Sequence, residues 1–267
     1  MPQTALITGT SSGLGRLLAA RLARDGHRVF GTSRRDAPPV HGVTTLRMDV
    51  TDEESVTSCV GEVLRSAGGV DILVNNAARL DEGPLEEFSA ADLQAVFETN
   101  LFGVARVTNA VLPSMRARRR GRIVNVSSLA GLMPAPFMGA YCASKHALEA
   151  YSESLRYEVA PLGIHVSLIE PGYYRTGLAE RKHRSPGTVA DYDAGRRAAF
   201  AWFEGQERAA PDPDPVIETF LRIIAAPKPR LRYPVGRQAS KYYLRGITPE
   251  WLWLSEVRRA FGLNRLR

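Results

Sequence analysis

Two side chains with complementary chemistry lie one helical turn apart in the middle of the chain. Tyr141 and Lys145 fall in a stretch that predicts a helix, and a spacing of four places them on one face. An ammonium beside a phenol stabilises the phenolate, and together with a positively charged bound ligand it should lower the pKa of the tyrosine from about 10 toward working pH. Tyr141 would then be a usable acid or base, although such a pair also occurs on ordinary helix surfaces.

A glycine-rich turn near the start of the chain is suited to hold a phosphate. Residues 8–15 follow a strand-like run and open a helix whose N-terminus offers free N–H groups. Gly9 permits a tight turn, Gly13 lets the backbone approach a pyrophosphate, and Gly15 lets the helix pack against the strand. Glycines also occur in ordinary turns, but the strand before and the helix after favour a dinucleotide site.

The elements that must position these groups follow an alternating pattern. Apolar, β-branched runs alternate with helical stretches, and the runs are 5–8, 28–32, 45–50, 71–75, 122–127 and 165–169, with a last candidate strand at 231–235. This alternation predicts βαβ units on a buried parallel sheet. We therefore expect one α/β domain over residues 1–267, a Rossmann-type doubly wound parallel sheet flanked by helices.

The end of the second strand indicates which dinucleotide binds. An NAD site usually places a carboxylate there for the ribose 2′-OH, whereas an NADP site needs a cation for the 2′-phosphate. Arg34 occupies this place and is the expected phosphate ligand, with Ser33, Ser11 and Ser12 as hydroxyl donors. Arg34 could also be an ordinary surface arginine. Because no carboxylate competes with it, the sequence predicts NADP(H).

Three further motifs complete a family pattern. Asn75-Asn76-Ala77-Ala78 follows the fourth strand, Tyr-Cys-Ala-Ser-Lys ends at Lys145, and Pro171-Gly172 follows the sixth strand. With the glycine turn, they make roughly residues 4–180 resemble the short-chain dehydrogenases/reductases. The tail 232–236 is similar to the 17β-hydroxysteroid-dehydrogenase-like and retinol-dehydrogenase-like branch. The resemblance implies an oxidoreductase that moves a hydride between a nicotinamide and an alcohol or carbonyl carbon.

The resemblance also assigns residues. It implies four catalytic residues, Asn100, Ser128, Tyr141 and Lys145. Ser128 would hydrogen-bond the substrate oxygen, while its neighbour Ser127 is assigned to structure. Asn100 would hold a water that connects Lys145 to solvent, or it could merely satisfy helix backbone.

The cofactor contacts come from the glycine turn and from the ends of later strands. The expected set is Gly9, Ser11, Ser12, Gly13, Leu14, Gly15, Ser33, Arg34, Asp49, Val50, Asn76, Ala77, Tyr141, Lys145, Pro171, Gly172, Tyr174 and Thr176. By resemblance, Asp49 contacts adenine, Asn76 and Ala77 pass the ribose, and the residues after Pro171 reach the carboxamide. Ala78 departs from the family's glycine and is expected to tilt the following loop without preventing cofactor binding.

Two segments are assigned to substrate. Residues 175–215 are polar and too long for an ordinary connector, so they form either an active-site lid or a partly disordered stretch. The segment 237–267 contains the apolar run 251–254, which could lie at a membrane interface but is expected to cover the cleft or pack on a second subunit. Asp81 and Glu82 are expected to face solvent, with contact to a polar or amine-bearing substrate as the alternative.

Composition narrows the remaining choices. The net charge is +7, but the basic run 116–122 has no aromatics and lies where a helix should end, so we expect no nucleic-acid partner. Two cysteines and no apolar run of membrane length predict free thiols, no metal, no membrane span and a cytoplasmic location. We expect a homodimer or homotetramer built through the helices that bear Asn100 and Tyr141. The alternative to an enzyme is a catalytically silent NADP-binding sensor or scaffold.

Overall fold

The computed structural model describes residues 2–245 and 247–263, and for Tyr242 and Tyr243 it describes only the backbone. The strands are β1 (Thr4–Thr8), β2 (Arg28–Ser33), β3 (Val43–Arg47), β4 (Ile72–Asn75), β5 (Asp81–Glu82), β6 (Gly121–Val126), β7 (Ile164–Pro171), β8 (His183–Arg184) and β9 (Arg232–Val235). The helices are α1 (Gly13–Arg24), α2 (Glu53–Ala67), α3 (Ala90–Phe97), α4 (Gly103–Ala117), α5 (Gly139–Val159), α6 (Asp193–Arg208), α7 (Asp214–Ala225), α8 (Ala239–Arg245) and α9 (Glu250–Ala260).

Seven parallel strands form the central sheet in the order β3-β2-β1-β4-β6-β7-β9. The chain adds strands outward from β1 on one side and then from β4 on the other, so the crevice at their carboxyl ends is the point where the winding reverses. The single-domain, doubly wound Rossmann-type fold predicted from the sequence is thereby confirmed. The third strand ends at Arg47 rather than at residue 50, because buried Met48 and Val50 extend the apolar run beyond the last sheet pairing.

Alternate residues of the strands build two cores, one on each face of the sheet. Leu6 of β1 packs with the apolar sides of α2, α4 and α5, whereas Ala5 and Ile7 pack with α1 and α7. This alternation follows from the two-residue repeat of a strand. The sheet is therefore covered on both faces, and its carboxyl edge remains for a ligand.

Helix starts follow local hydrogen bonding. Ser89 caps α3 through a reciprocal bond with Asp92. The spacing of Thr51 and Glu54 predicts a capping box at the start of α2, but the cap is Asp52, whose carboxylate accepts the N–H groups of Glu54 and Ser55. None of the helices within residues 2–245 and 247–263 has the length and apolar character needed to cross a membrane.

The segment 175–215 is folded. It contains β8 and α6, and β8 pairs with β5 in a separate two-stranded parallel sheet. Helix α6 contributes Ala199 and Phe203 to a third apolar cluster, which also contains Tyr141 and Phe261. Of the two alternatives drawn from the sequence, the partly disordered stretch is wrong.

Candidate active site

The predicted site residues meet at the carboxyl edge of the sheet. Ser33 is the last residue of β2, Pro171 is the last residue of β7, and Ser128 lies two residues after β6. Gly9 and Asn76 directly follow β1 and β4, the two strands at the winding reversal. Residues far apart in the chain are brought together because parallel strands end at one edge.

The glycine turn has the shape that close ligand approach requires. Gly9 has φ of 72° and Gly13 has φ of 58°, a region that other residues adopt only with strain. A Cβ at Gly9 would lie 2.9 Å from Ala77 Cα, and one at Gly15 would lie 2.5 Å from Gly9 O. The glycines therefore let the turn pack closely against the loop after β4, and the free N–H groups at the start of α1 suit the pyrophosphate of a dinucleotide.

Thr8 and Asn76 join the glycine turn to the loop after β4 by hydrogen bonds. The Thr8 hydroxyl oxygen accepts the backbone N–H groups of Asn76 and Ala77, at 2.9 and 3.0 Å. The Asn76 side-chain amide donates to the carbonyl oxygens of Thr8 and Gly9. Thr8 was not among the expected site residues, although its place at the head of the motif was the available signal.

The part of the site predicted to hold the adenosine of the cofactor contains an exposed guanidinium. Arg34 is exposed and forms no ion pair with any residue for which the structure gives a position, while Ser33 is buried and its hydroxyl donates to Arg35 O. Arg34 and Asp49 line the same open pocket. Asp49 Oδ1 accepts from the N–H and hydroxyl of Thr51, which holds its carboxylate in place. The side chain of Val50 packs in the apolar core.

The chain after β7 crosses over the phosphate turn. Gly172 N donates to Val235 O at 2.8 Å, and the Thr176 carbonyl lies so close to Gly13 that a Cβ there would collide with it. Arg181 then places its guanidinium 3.4 Å from Ser11 Oγ. The sequence did not indicate Arg181, because 170 residues separate it from Ser11.

Tyr141 and Lys145 are brought together as expected, but both are buried. Their side chains are 5 and 2% exposed, and Lys145 Nζ lies 5.7 Å from the Tyr141 ring centroid. Lys145 Nζ donates to Val126 O at 2.8 Å, which holds the ammonium against the end of β6. Ser128 Oγ accepts from Ala130 N and donates to Pro171 O at 3.4 Å.

Burial raises the pKa of Tyr141 and lowers the pKa of Lys145. It raises the pKa of Tyr141 to about 12, against a lowering effect of the Ser128 hydroxyl. It lowers the pKa of Lys145 to about 8, against a raising effect of Glu149. In the protein alone the pKa of Tyr141 is thus raised, because removal of water disfavours both charged forms; the predicted lowering concerns the complex with a positively charged nicotinamide. A phenolate at Tyr141 thus needs further positive charge beside it.

Asn100 ties two parts of the site together. It lies in a π-helical turn, Glu98–Phe102, between α3 and α4, a geometry often found at functional sites. Its side chain accepts from Arg79 N at 2.8 Å and donates to Arg79 O and to Ser144 Oγ, both at 2.9 Å. The Asn100 side chain therefore holds the loop after β4 against α5. Its partner on α5, Ser144, directly precedes Lys145 in sequence.

The charged loop does not face solvent as expected. Asp81 and Glu82 are each 1% exposed. Arg79 binds Asp81 with two bonds of 2.8 and 2.9 Å, and Glu82 lies 3.3 Å from Lys182 and 3.4 Å from Arg184. Buried carboxylates persist where such partners neutralise them. The pairs attach the 175–215 segment to the loop through β5 and β8.

An apolar cluster surrounds the Tyr141 ring. Its buried members are Leu80, Met138, Tyr141, Cys142, Ala199, Phe203 and Phe261. Trp202 packs on Phe261 with a centroid separation of 4.5 Å and meets Tyr173 edge-on at 5.9 Å. The acid/base candidate therefore lies against an apolar wall made by α6 and the end of the C-terminal segment.

Known proteins are similar to this chain in sequence. The family model described as short chain dehydrogenase matches residues 3–186. The chain is 39% identical over 237 residues to 3-ketodihydrosphingosine reductase of Bacteroides thetaiotaomicron, with 88% of each chain covered. It is 40% identical over 252 residues to estradiol 17-beta-dehydrogenase 1 of Rattus norvegicus, covering 85% of this chain and 72% of the relative.

A solved short-chain dehydrogenase from Streptomyces avermitilis superposes with a TM-score of 0.83 at 34% identity, covering 97% of each chain. The likeness thus extends through the 175–215 segment, beyond the part that the family model covers. The chain belongs to the short-chain dehydrogenase/reductase family, in the branch similar to 17β-hydroxysteroid and retinol dehydrogenases.

Proposed function

We propose that the protein is an NADP(H)-dependent oxidoreductase that interconverts a ketone or aldehyde and an alcohol and runs in cells as a reductase. Its substrate is small to medium in size and largely apolar. The observation that carries the proposal is the hydroxyl-bearing Tyr141 in an apolar cluster, with Ser128 and Lys145 beside it. In a family that acts on CH–OH and C=O groups, hydroxyl and ammonium side chains of this kind act at the carbonyl oxygen of the substrate.

In this mechanism, Tyr141 donates its proton to the carbonyl oxygen and Ser128 hydrogen-bonds the same oxygen as it gains charge. A bound nicotinamide supplies the hydride. The raised pKa of Tyr141, about 12, keeps the phenol protonated and ready to donate at neutral pH. After the transfer, the Lys145 ammonium stabilises the phenolate.

The preference for NADP(H) rests on Arg34. Its exposed guanidinium lies at the end of β2, where an NAD site usually has a carboxylate, and Asp36 lies beyond the strand. A guanidinium can bind a phosphate through two parallel N–H···O hydrogen bonds. Arg181, near Ser11 at 3.4 Å, adds a second cation over the phosphate turn.

The substrate space follows from the segments that surround Tyr141. We assign 175–215 as a substrate lid and 237–267 as a segment that closes the cleft or joins subunits; residues 246 and 264–267 lie outside the described part. Phe203 from α6 and Phe261 after α9 support an apolar substrate, because both pack in the cluster of Tyr141. A homodimer or homotetramer through α4 and α5 is supported by Phe102, directly before α4, and Tyr157, on α5, which are 43 and 71% exposed.

The test is turnover with defined cofactors. The purified protein is incubated with NADPH or NADH and a panel of apolar ketones and aldehydes, and loss of the reduced nicotinamide is followed by its absorbance. We expect oxidation of NADPH, with a lower kcat/KM for NADH. Tight NADPH binding without turnover across the panel would contradict the proposal and favour the sensor or scaffold.

A further inference from the structure

Three buried polar atoms on α5 and at the ends of β6 and β7 have no hydrogen-bond partner in the part of the chain that the structure describes. They are Ser127 Oγ, Glu149 Oε1 and Glu170 Oε1. Ser127 directly follows β6, Glu149 is on α5, and Glu170 is on β7, the strand next to β6. Each unpartnered buried polar group costs about 1–3 kcal/mol, so three of them on neighbouring elements need a physical reason.

Glu149 faces the same way as Lys145. The two residues are four apart on α5 and therefore share one side of the helix. Ser127 lies beside them, since a Cβ at Gly131 would be 2.7 Å from Ser127 Oγ and 3.1 Å from Lys145 Cβ. The charge of Glu149 raises the pKa of Lys145, and Lys145 lowers that of Glu149, so the two groups are electrostatically linked.

Glu149 has one further cationic neighbour. Arg232 of β9 places Nε 3.1 Å from Glu149 Oε2, and its Nη2 binds the more exposed Glu153 at 2.8 Å. Burial raises the pKa of Glu149, while Arg232 and Lys145 oppose that rise. With cations on two sides, Glu149 can remain an anion in the interior.

Glu170 has a different environment. It is fully buried, and its Oε2 accepts the Tyr233 N–H at 2.7 Å. Burial and then the charge of Glu149 raise its pKa to about 9, with Arg232 acting in the opposite direction. Two anions side by side in a low-dielectric interior repel, so one of the two carboxyl groups keeps its proton.

We propose that Glu149 is a positioning residue that keeps Lys145 protonated, and that Glu170 beside it is a neutral carboxylic acid. Glu149 then supplies the negative charge that the buried ammonium lacks, since the hydrogen bond of Lys145 to Val126 O is to a neutral group. The expected effect of Glu149 on the rate of turnover rests on the proposed function. Its expected effect on the protonation of Lys145 is independent of that function.

The first test is direct titration of Lys145. The chain has four lysines, so selective ¹³C labelling of lysine gives few signals, and the variant K145M identifies the one that belongs to Lys145. In the wild type we expect its midpoint near pH 8. Removal of the negative charge in E149Q should lower that midpoint by about one pH unit.

Two matched variants distinguish charge from packing. E170Q replaces an acid by a neutral amide of the same shape and should leave the Lys145 midpoint unchanged. E153Q removes the other carboxylate on Arg232 and should also leave it unchanged. An unmoved midpoint in E149Q, or a drop in E170Q as large as the drop expected for E149Q, would overturn the proposal.

The second test is the pH profile of kcat, together with thermal unfolding. E149Q should move the high-pH limb to lower pH, whereas a merely structural role would change the melting temperature and leave the limb in place. E149D retains the charge; if E149Q does not fold, a full-unit drop of the Lys145 midpoint in E149D contradicts the proposal, and a smaller drop supports it. Absence of turnover in the wild type would refute the proposed function, while the lysine titration would still decide the role of Glu149.

Discussion

Reversal of the charge at Arg34 should change which nicotinamide the protein uses. In R34D, the 2′-phosphate of NADPH loses its cation and meets a carboxylate, while the 2′-OH of NADH gains an acceptor. The exposed Arg34 side chain has no ion pair to lose within the described chain, so the fold should tolerate the change. Hydrogen bonds to a charged group contribute about 1.5–3 kcal/mol. At about 1.4 kcal/mol for each factor of ten, kcat/KM for NADPH should fall by roughly 10- to 150-fold.

The assay compares kcat/KM for NADPH and NADH with one carbonyl substrate, at low and at high salt. The NADPH advantage of the wild type should shrink as salt screens the exposed charge. R24D is the matched control, because Arg24 is also an exposed arginine but lies at the end of α1, away from the cofactor edge. An unchanged cofactor ratio in R34D, or an equal loss with both cofactors, would refute the role of Arg34.

Three further predictions follow from the site. Reduction should slow as pH rises above about 8, because Lys145 then loses the proton that stabilises the product phenolate; a rate that stays flat to pH 10 would contradict this. R181A should raise the KM for NADPH several-fold with an unchanged melting temperature, since Arg181 is exposed and adjoins Ser11; an unchanged KM would exclude a phosphate contact. T8V should destabilise the protein by about 2–4 kcal/mol in denaturant unfolding, because two backbone N–H groups at Asn76 and Ala77 lose their acceptor; a loss below 0.5 kcal/mol would show that another group replaces it.

Local patterns were sufficient for the framework of the fold. Strand–glycine–helix order at Gly9 and the alternation of apolar runs depend on neighbours in sequence, and these predicted the sheet, its winding and the edge where the site lies. The spacing of Tyr141 and Lys145 gave their shared helix face for the same reason. Each of these features requires only short-range geometry.

Features that depend on tertiary contacts could not be predicted in this way. The approach of Arg181 to Ser11 and the burial of Glu82 against Lys182 both arise when the 175–215 segment folds back over the sheet edge. The raised pKa of Tyr141 in the protein alone could not be predicted, because its desolvation appears only once the apolar cluster has formed. Exposure was expected for Glu82 because charged residues are almost never fully buried unless they are paired, and its partner Lys182 lies 100 residues away in sequence.

The most direct test of the central claim is the variant Y141F, which removes one hydroxyl and keeps the ring in the apolar cluster. NADPH binding is measured by nicotinamide fluorescence, and carbonyl reduction is measured with the best substrate of the panel. Because general acid catalysis contributes about 10²–10⁴-fold, we predict a fall of at least 100-fold in kcat with the affinity for NADPH retained. Turnover in Y141F that matches the wild type would contradict the assignment of Tyr141 as the proton donor.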